Sequence, residues 1–196
     1  MVRSEKTRQL IIEKTAHIFN KKGYVGTYLS DLTNATGLTK GSIYGNFKDK
    51  NEVAVEAFRY NYNFQAQELL QNMEAEKRAE KKLLTFLSFY KKEYKRIFNN
   101  GGCAILNTAV DADYANPHLK TEVNKKIVGW HVSIAKIYKE GIDKGELKDI
   151  DVNKYAYKVI ALIEGSIMLS KTLNKPEILI SNIELLENEI LELSQI

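Results

Sequence analysis

A chain of 196 residues, 44% apolar and 28% charged, is long enough to bury a sizeable core. Its single cysteine, Cys103, excludes an internal disulfide, and its most apolar run, 159–169, is about half a membrane span and contains Glu164. The net charge of +4 is uneven: residues 1–50 carry nine Lys and Arg against four acids, an excess of five, and the remainder sums to minus one. A basic head on a near-neutral body is the electrostatic footprint of a polyanion binder that works at one end.

With two prolines, no sustained period-two alternation and abundant helix formers, the chain reads as all-α. The first helix is expected from about Ser4 to Lys22, where Ile11, Ile12, Ala16 and Phe19 make one apolar face before Gly23 ends it. A second follows over Ser30 to Thr36, with Ser30 as N-cap and Gly37 at the left-handed C-terminal position. The third, from Lys40 to Asn46 behind the N-cap Thr39, turns Ile43 and Phe47 inward toward Leu32 and Leu38. At about two turns it is too short to be stable alone, so its purpose lies in what it presents. Two short helices across a glycine turn form a helix-turn-helix, the later part of an N-terminal three-helix head at 1–49.

A body at 50–196 follows without a linker, beginning with a long amphipathic helix from Asp49 or Lys50 to about Glu74. Further helices are expected near 77–98, 103–113, 117–144, 151–173 and 176–194, divided by Asn99-Asn100-Gly101-Gly102, Asn116-Pro117, Gly145 and Asn174-Lys175-Pro176, for about nine helices in all. In the last helix Leu179, Ile183, Leu186, Ile190 and Leu193 step by four and three, the seam of a helix that packs along a partner. The helix before it offers Tyr155, Val159, Leu162 and Ser166, with Gly165 small enough for close approach. Such a pair can close onto its own domain, but Leu185, Leu191 and Ile180 leave the last helix apolar on more than one side, so the two helices are expected to meet their symmetry mates as a four-helix bundle in a homodimer.

Within the head, Thr27, Ser30, Tyr44, Lys48 and Lys50 stand at helix starts or in turns, where hydroxyls, ammonium groups and backbone N–H groups meet phosphates. Lys40, Gly41, Ser42, Gly45 and Asn46 fall opposite Ile43 and Phe47 and are the groups a major groove would meet, with Thr39 beside them. Double-stranded DNA is therefore the expected partner. Asn46 is left between a phosphate and an adenine.

The residues Gly23-Tyr24, Thr27, Ser30-Asp31-Leu32, Ala35, Gly37 to Tyr44, Phe47 and Lys50 together resemble the TetR family of transcriptional regulators over about 8–58. The resemblance implies a one-component regulator, read here as a repressor, that binds a palindromic operator as a homodimer and leaves it when a small, partly apolar effector fills the body. It further implies that the helix starting at Lys50 is the lever that moves the heads, and that Gly101-Gly102-Cys103 borders the pocket entrance.

Candidate effector contacts are Phe86, Phe89, Tyr90, Cys103, Trp130, Tyr138 and Met168, each of which also suits plain core packing, together with Asn107 and with Glu164, a charge in an apolar helix that suits a cationic ligand or a lysine or tyrosine across the dimer seam. Asp111 and Asp113 read as solvated residues at a helix end. His17, His118 and His131 share no metal-like spacing, and neither a metal nor another cofactor is expected. No Walker loop, dinucleotide fingerprint or nucleophile elbow occurs, so catalysis is not expected. The competing reading is a helical small-molecule-binding or sequestering protein without sequence-specific DNA binding.

Overall fold

The computed structural model describes residues 2–195, apart from the side chains at 2, 3 and 113–115. Among these residues it contains nine α-helices: α1 (Val2–Gly26), α2 (Leu29–Thr36), α3 (Lys40–Tyr44), α4 (Lys50–Glu74), α5 (Ala79–Asn99), α6 (Ala104–Ala115), α7 (Pro117–Asp143), α8 (Val152–Leu173) and α9 (Glu177–Leu193). The only extended pairing among them is one antiparallel bridge between Leu147 and Ser194. No described helix is long and apolar enough to cross a membrane.

Two compact units result, Met1–Gln65 with Asn100–Lys125, and Ala66–Asn99 with Lys126–Ile196. The first holds the expected head together with the start of α4, α6 and the start of α7. Its buried apolar side chains include Ile11, Ala16, Phe19, Leu32, Ile43, Phe47, Val53 and Phe58, so α1, α2 and α3 share one core with α4. The helix-turn-helix bend is made by Gly37, whose φ of 70° a side chain would strain and whose N–H donates to the Thr33 carbonyl at 2.8 Å.

Polar side chains hold α6 against α1 in this unit. Asn20 donates from its amide to the carbonyls of Asn100 (2.6 Å) and Gly102 (3.2 Å), while the Asn107 amide donates to Asn20 and to the Gly101 carbonyl. Gly101 is needed on two counts: its φ is 103°, and a Cβ there would sit 3.0 Å from the Lys21 side chain and 3.2 Å from the Asn20 carbonyl. One turn further along α6, Asp111 accepts the backbone N–H of Tyr24 just after α1 breaks at Gly23. Asp111 is therefore a structural tie across the unit and not a solvated end residue.

The second unit is built by α5, α8 and α9 with the later part of α7. Leu83, Leu87, Ile134, Ile163, Ile167, Leu179, Ile183 and Leu186 are all at most 2% exposed. Asp151 caps α8 by accepting the Lys154 N–H at 3.0 Å, and Asn174 ends it in the left-handed conformation (φ 54°). The turn into α9 is closed by Ser170, whose hydroxyl oxygen accepts the Leu179 N–H at 2.9 Å inside the core.

Candidate DNA-binding head and effector unit

The surface around α3 is set by a few local bonds. Thr39 is extended (ψ 160°) and its hydroxyl oxygen accepts the Ser42 N–H at 3.2 Å, which starts the helix. Ile43 at 0% and Phe47 at 2% exposure anchor the inner side, so Thr39, Lys40, Gly41, Ser42 and Gly45 are left exposed on the outer one. Ser30 and Lys48 are exposed as well, and Tyr44 is half-buried.

Three expected contact residues are engaged inside the protein. Thr27 is buried, its hydroxyl donating to the Gly23 carbonyl at 2.6 Å, so that oxygen serves the α1–α2 turn and not a phosphate. The Asn46 side chain accepts from the Ser4 hydroxyl (3.1 Å) and donates to the Ser42 carbonyl (2.8 Å), which commits it to α1 and α3. Lys50 is half-buried with its ammonium 4.3 Å from the Tyr24 ring centroid. Burial draws the Lys50 pKa down against the pull of Asp111 and Asp31.

Ser30 does not cap α2. The helix starts one residue earlier, with Tyr28 extended at the N-cap position and Asp31 accepting its backbone N–H at 2.9 Å. The other Asp31 oxygen binds the Lys22 ammonium at 2.7 Å, joining α1 to α2. These bonds, led by that from Lys22, hold the Asp31 carboxyl below its ordinary range. An acid in the first turn was the signal for this arrangement, and a serine one residue earlier hid it.

In the second unit Phe86 gathers an aromatic cluster. Its centroid lies 5.5 Å from that of Tyr90 and 6.1 Å from that of Trp130, both edge to face, and Phe89 meets Tyr90 at 5.5 Å. Tyr138 is 1% exposed and packs edge to face with Tyr155 at 6.0 Å; burial pushes its hydroxyl pKa far up, so it stays neutral. Glu164 is half-buried on α8.

Three other expected effector residues are placed differently. Met168 is 49% exposed on the outer side of α8. Cys103 and Asn107 belong to the first unit, where the Asn107 amide nitrogen already serves three acceptors around Asn20 and Gly101. The Gly101-Gly102 segment is likewise fastened to α1. That unit has an open cleft of about 440 Å³ between the starts of α4 and α7, walled by Asn51, Glu56, Arg59, His118 and Glu122. Its lining is charged, and the Arg59–Glu122 pair at 2.9 Å crosses it.

Burial takes six of the eight residues of the expected dimer seam into the core. Val159, Ser166, Leu179, Ile183, Leu186 and Ile190 are at most 2% exposed in a single chain, and Tyr155 and Leu162 are half-buried. Side chains already covered by their own unit cannot meet a second copy. What α8 and α9 leave outside is another set, Tyr157, Met168, Leu169, Leu173, Leu185 and Leu191.

This architecture has close counterparts. The family model for bacterial regulatory proteins of the tetR family matches residues 11–57, and that for the tetracyclin repressor-like C-terminal domain matches residues 79–184. The chain belongs to the TetR family of transcriptional regulators, whose members bind DNA, function as dimers and are not enzymes. A TetR-family regulator from Cytophaga hutchinsonii superposes with a TM-score of 0.92 at 39% identity, over 99% of this chain and 98% of that one. One from Chloroflexus aurantiacus gives 0.91 at 32% identity over the same shares. Among curated proteins, the fatty acid metabolism regulator protein of Bacillus subtilis is 22% identical over 80% of this chain and 79% of its own length. The transcriptional repressor DhaR of a Mycobacterium species is 24% identical over 84% and 82%.

Proposed function

We propose that this chain is a cytoplasmic, ligand-responsive repressor that binds a palindromic operator as a homodimer and releases it when a small effector occupies the body. The observation that carries this reading is the outer side of α3: Lys40, Gly41 and Ser42 are exposed behind the Thr39 cap, while Ile43 and Phe47 anchor the opposite side. A helix of this length can enter a major groove, and Gly41 within it and Gly45 at its C-cap let the backbone approach the bases. Ser30, Tyr44 and Lys48 then serve as phosphate contacts around it. Domain limits of 1–49 for the reading head and 50–196 for the rest fit this division of labour.

Dimerisation is assigned to the outer apolar side of α8 and α9, led by Tyr157, Met168 and Leu185, because these large side chains lack cover in one chain. The effector is assigned to the second unit beside Phe86, Tyr90 and Trp130, whose faces suit a partly apolar molecule. The test is selection from a random duplex pool followed by gel-shift titration. Recovery of a two-fold symmetric sequence bound well above a scrambled duplex is expected. Equal, strongly salt-sensitive binding to both would support a sequestering protein instead.

A further inference from the structure

Arg8 sits where α1, α3 and α4 converge, and every group it touches belongs to the frame of α3. Its guanidinium donates to the Asn46 carbonyl at 2.8 Å, pairs with Glu52 at 2.9 Å and Glu56 at 3.5 Å, and lies 4.2 Å from the Phe47 ring centroid. Asn46 and Phe47 close the C-terminal end of α3, whereas Glu52 and Glu56 lie one turn apart on α4. Glu52 also accepts the Lys48 N–H at 2.7 Å, and Asp49 accepts the Glu52 N–H at 2.9 Å. The segment from α3 to α4 is thus held at both ends, with Arg8 as the side chain common to α1, α3 and α4.

A five-residue helix has little intrinsic stability, so its direction is set by what grips its ends. The N-terminal end has the Thr39 cap and the C-terminal end has Arg8. A planar fork can bond a carbonyl and a carboxylate at once while stacking on an aromatic ring; an ammonium group cannot do all three.

We propose that Arg8 is a positioning residue for operator recognition, fixing the angle of α3 against α4 without touching DNA. The proposal rests on the operator reading above. Glu56 extends the tie, since its carboxylate also accepts from Arg59 at 3.0 Å, and Arg59 pairs with Glu122 at the start of α7. The orientation of α3 is thereby linked to α4 and α7 within the same unit.

The test uses the full chain and the duplex that the wild type selects, titrated beside a scrambled duplex at several salt concentrations, with Arg8→Ala and Arg8→Lys. A lost phosphate contact weakens both duplexes alike and flattens the salt slope by about 0.9. A lost positioning residue behaves otherwise: operator affinity falls at least tenfold in both variants, scrambled-duplex affinity stays within about twofold, and the slope is unchanged. Arg8→Lys, which keeps the charge, decides the matter if Arg8→Ala unfolds the head in a thermal melt. Full operator selectivity in Arg8→Lys overturns the proposal, as does a parallel loss on both duplexes with a flatter slope. A wild type that selects no sequence overturns the operator reading and this proposal with it, so the two failures are distinguishable.

Discussion

The shortest and the last helix hold their places by opposite means. In α9 an apolar stripe of Leu179, Ile183, Leu186 and Ile190 is consumed entirely by its own unit. In α3 two apolar side chains, Ile43 and Phe47, suffice because a cap, a glycine turn and an arginine clamp supply the rest, which leaves the polar side unspent. The lesson is that the strongest periodic stripe marks the core. A binding surface is what remains when the core has been satisfied, and in α9 that remainder is Leu185 and its exposed neighbours.

The largest effect should come from placing a charge in the α9 stripe. Leu186→Glu buries a carboxylate with no partner and is expected to prevent folding of the second unit, while Leu186→Ala costs about 2–5 kcal/mol in denaturant unfolding. The neighbouring Leu185→Glu, at a 57% exposed site, should leave the thermal midpoint of the monomer nearly unchanged and shift the chain from dimer to monomer by light scattering. If both substitutions acted alike, the distinction between a core stripe and an outer face would fail.

Smaller effects belong to the head. Thr39→Ala removes the α3 cap and should cost about 0.5–2 kcal/mol, with operator affinity falling more than overall stability. The first unit should also carry an acid-sensitive share of stability. Asp49, Glu52 and Glu122 are held below their ordinary values by the Glu52 amide, the Lys48 amide and the Lys125 ammonium in turn. Carboxyls depressed in the folded state stabilise it above their unfolded values, 3.8 for Asp and 4.5 for Glu, and that stabilisation is lost as pH falls through the lower folded values. Unfolding melts should therefore be insensitive to these groups from pH 6 to 8 and decline in acid below about 4.5, with a shallower decline in Glu52→Gln.

Much of this molecule was legible in its amino acids. Helix limits followed from Gly37, Asn116-Pro117 and Asn174-Lys175-Pro176, and α4 and α8 fall within one residue of their expected bounds, because backbone constraints act locally. The exposed side of α3 followed from the spacing of Ile43 and Phe47. Partners distant in sequence were not legible: Asp111 lies 87 residues from Tyr24 and Arg8 lies 38 from Asn46, and no local pattern announces either bond. One usable hint was present, since Glu52 and Glu56 put two acids on one side of α4 and invite a cation. Most of the expected seam residues turned out to be core because an a/d repeat looks the same whether its partner is another copy or the same chain.

The central claim is that the outer side of α3 reads DNA. Its most direct test is the ratio of affinities for the selected and scrambled duplexes, measured for the wild type and for Lys40→Ala/Ser42→Ala at one fixed salt concentration. The account predicts that the ratio falls at least tenfold while the circular dichroism melt is unchanged; a ratio equal to that of the wild type in a folded variant would contradict it.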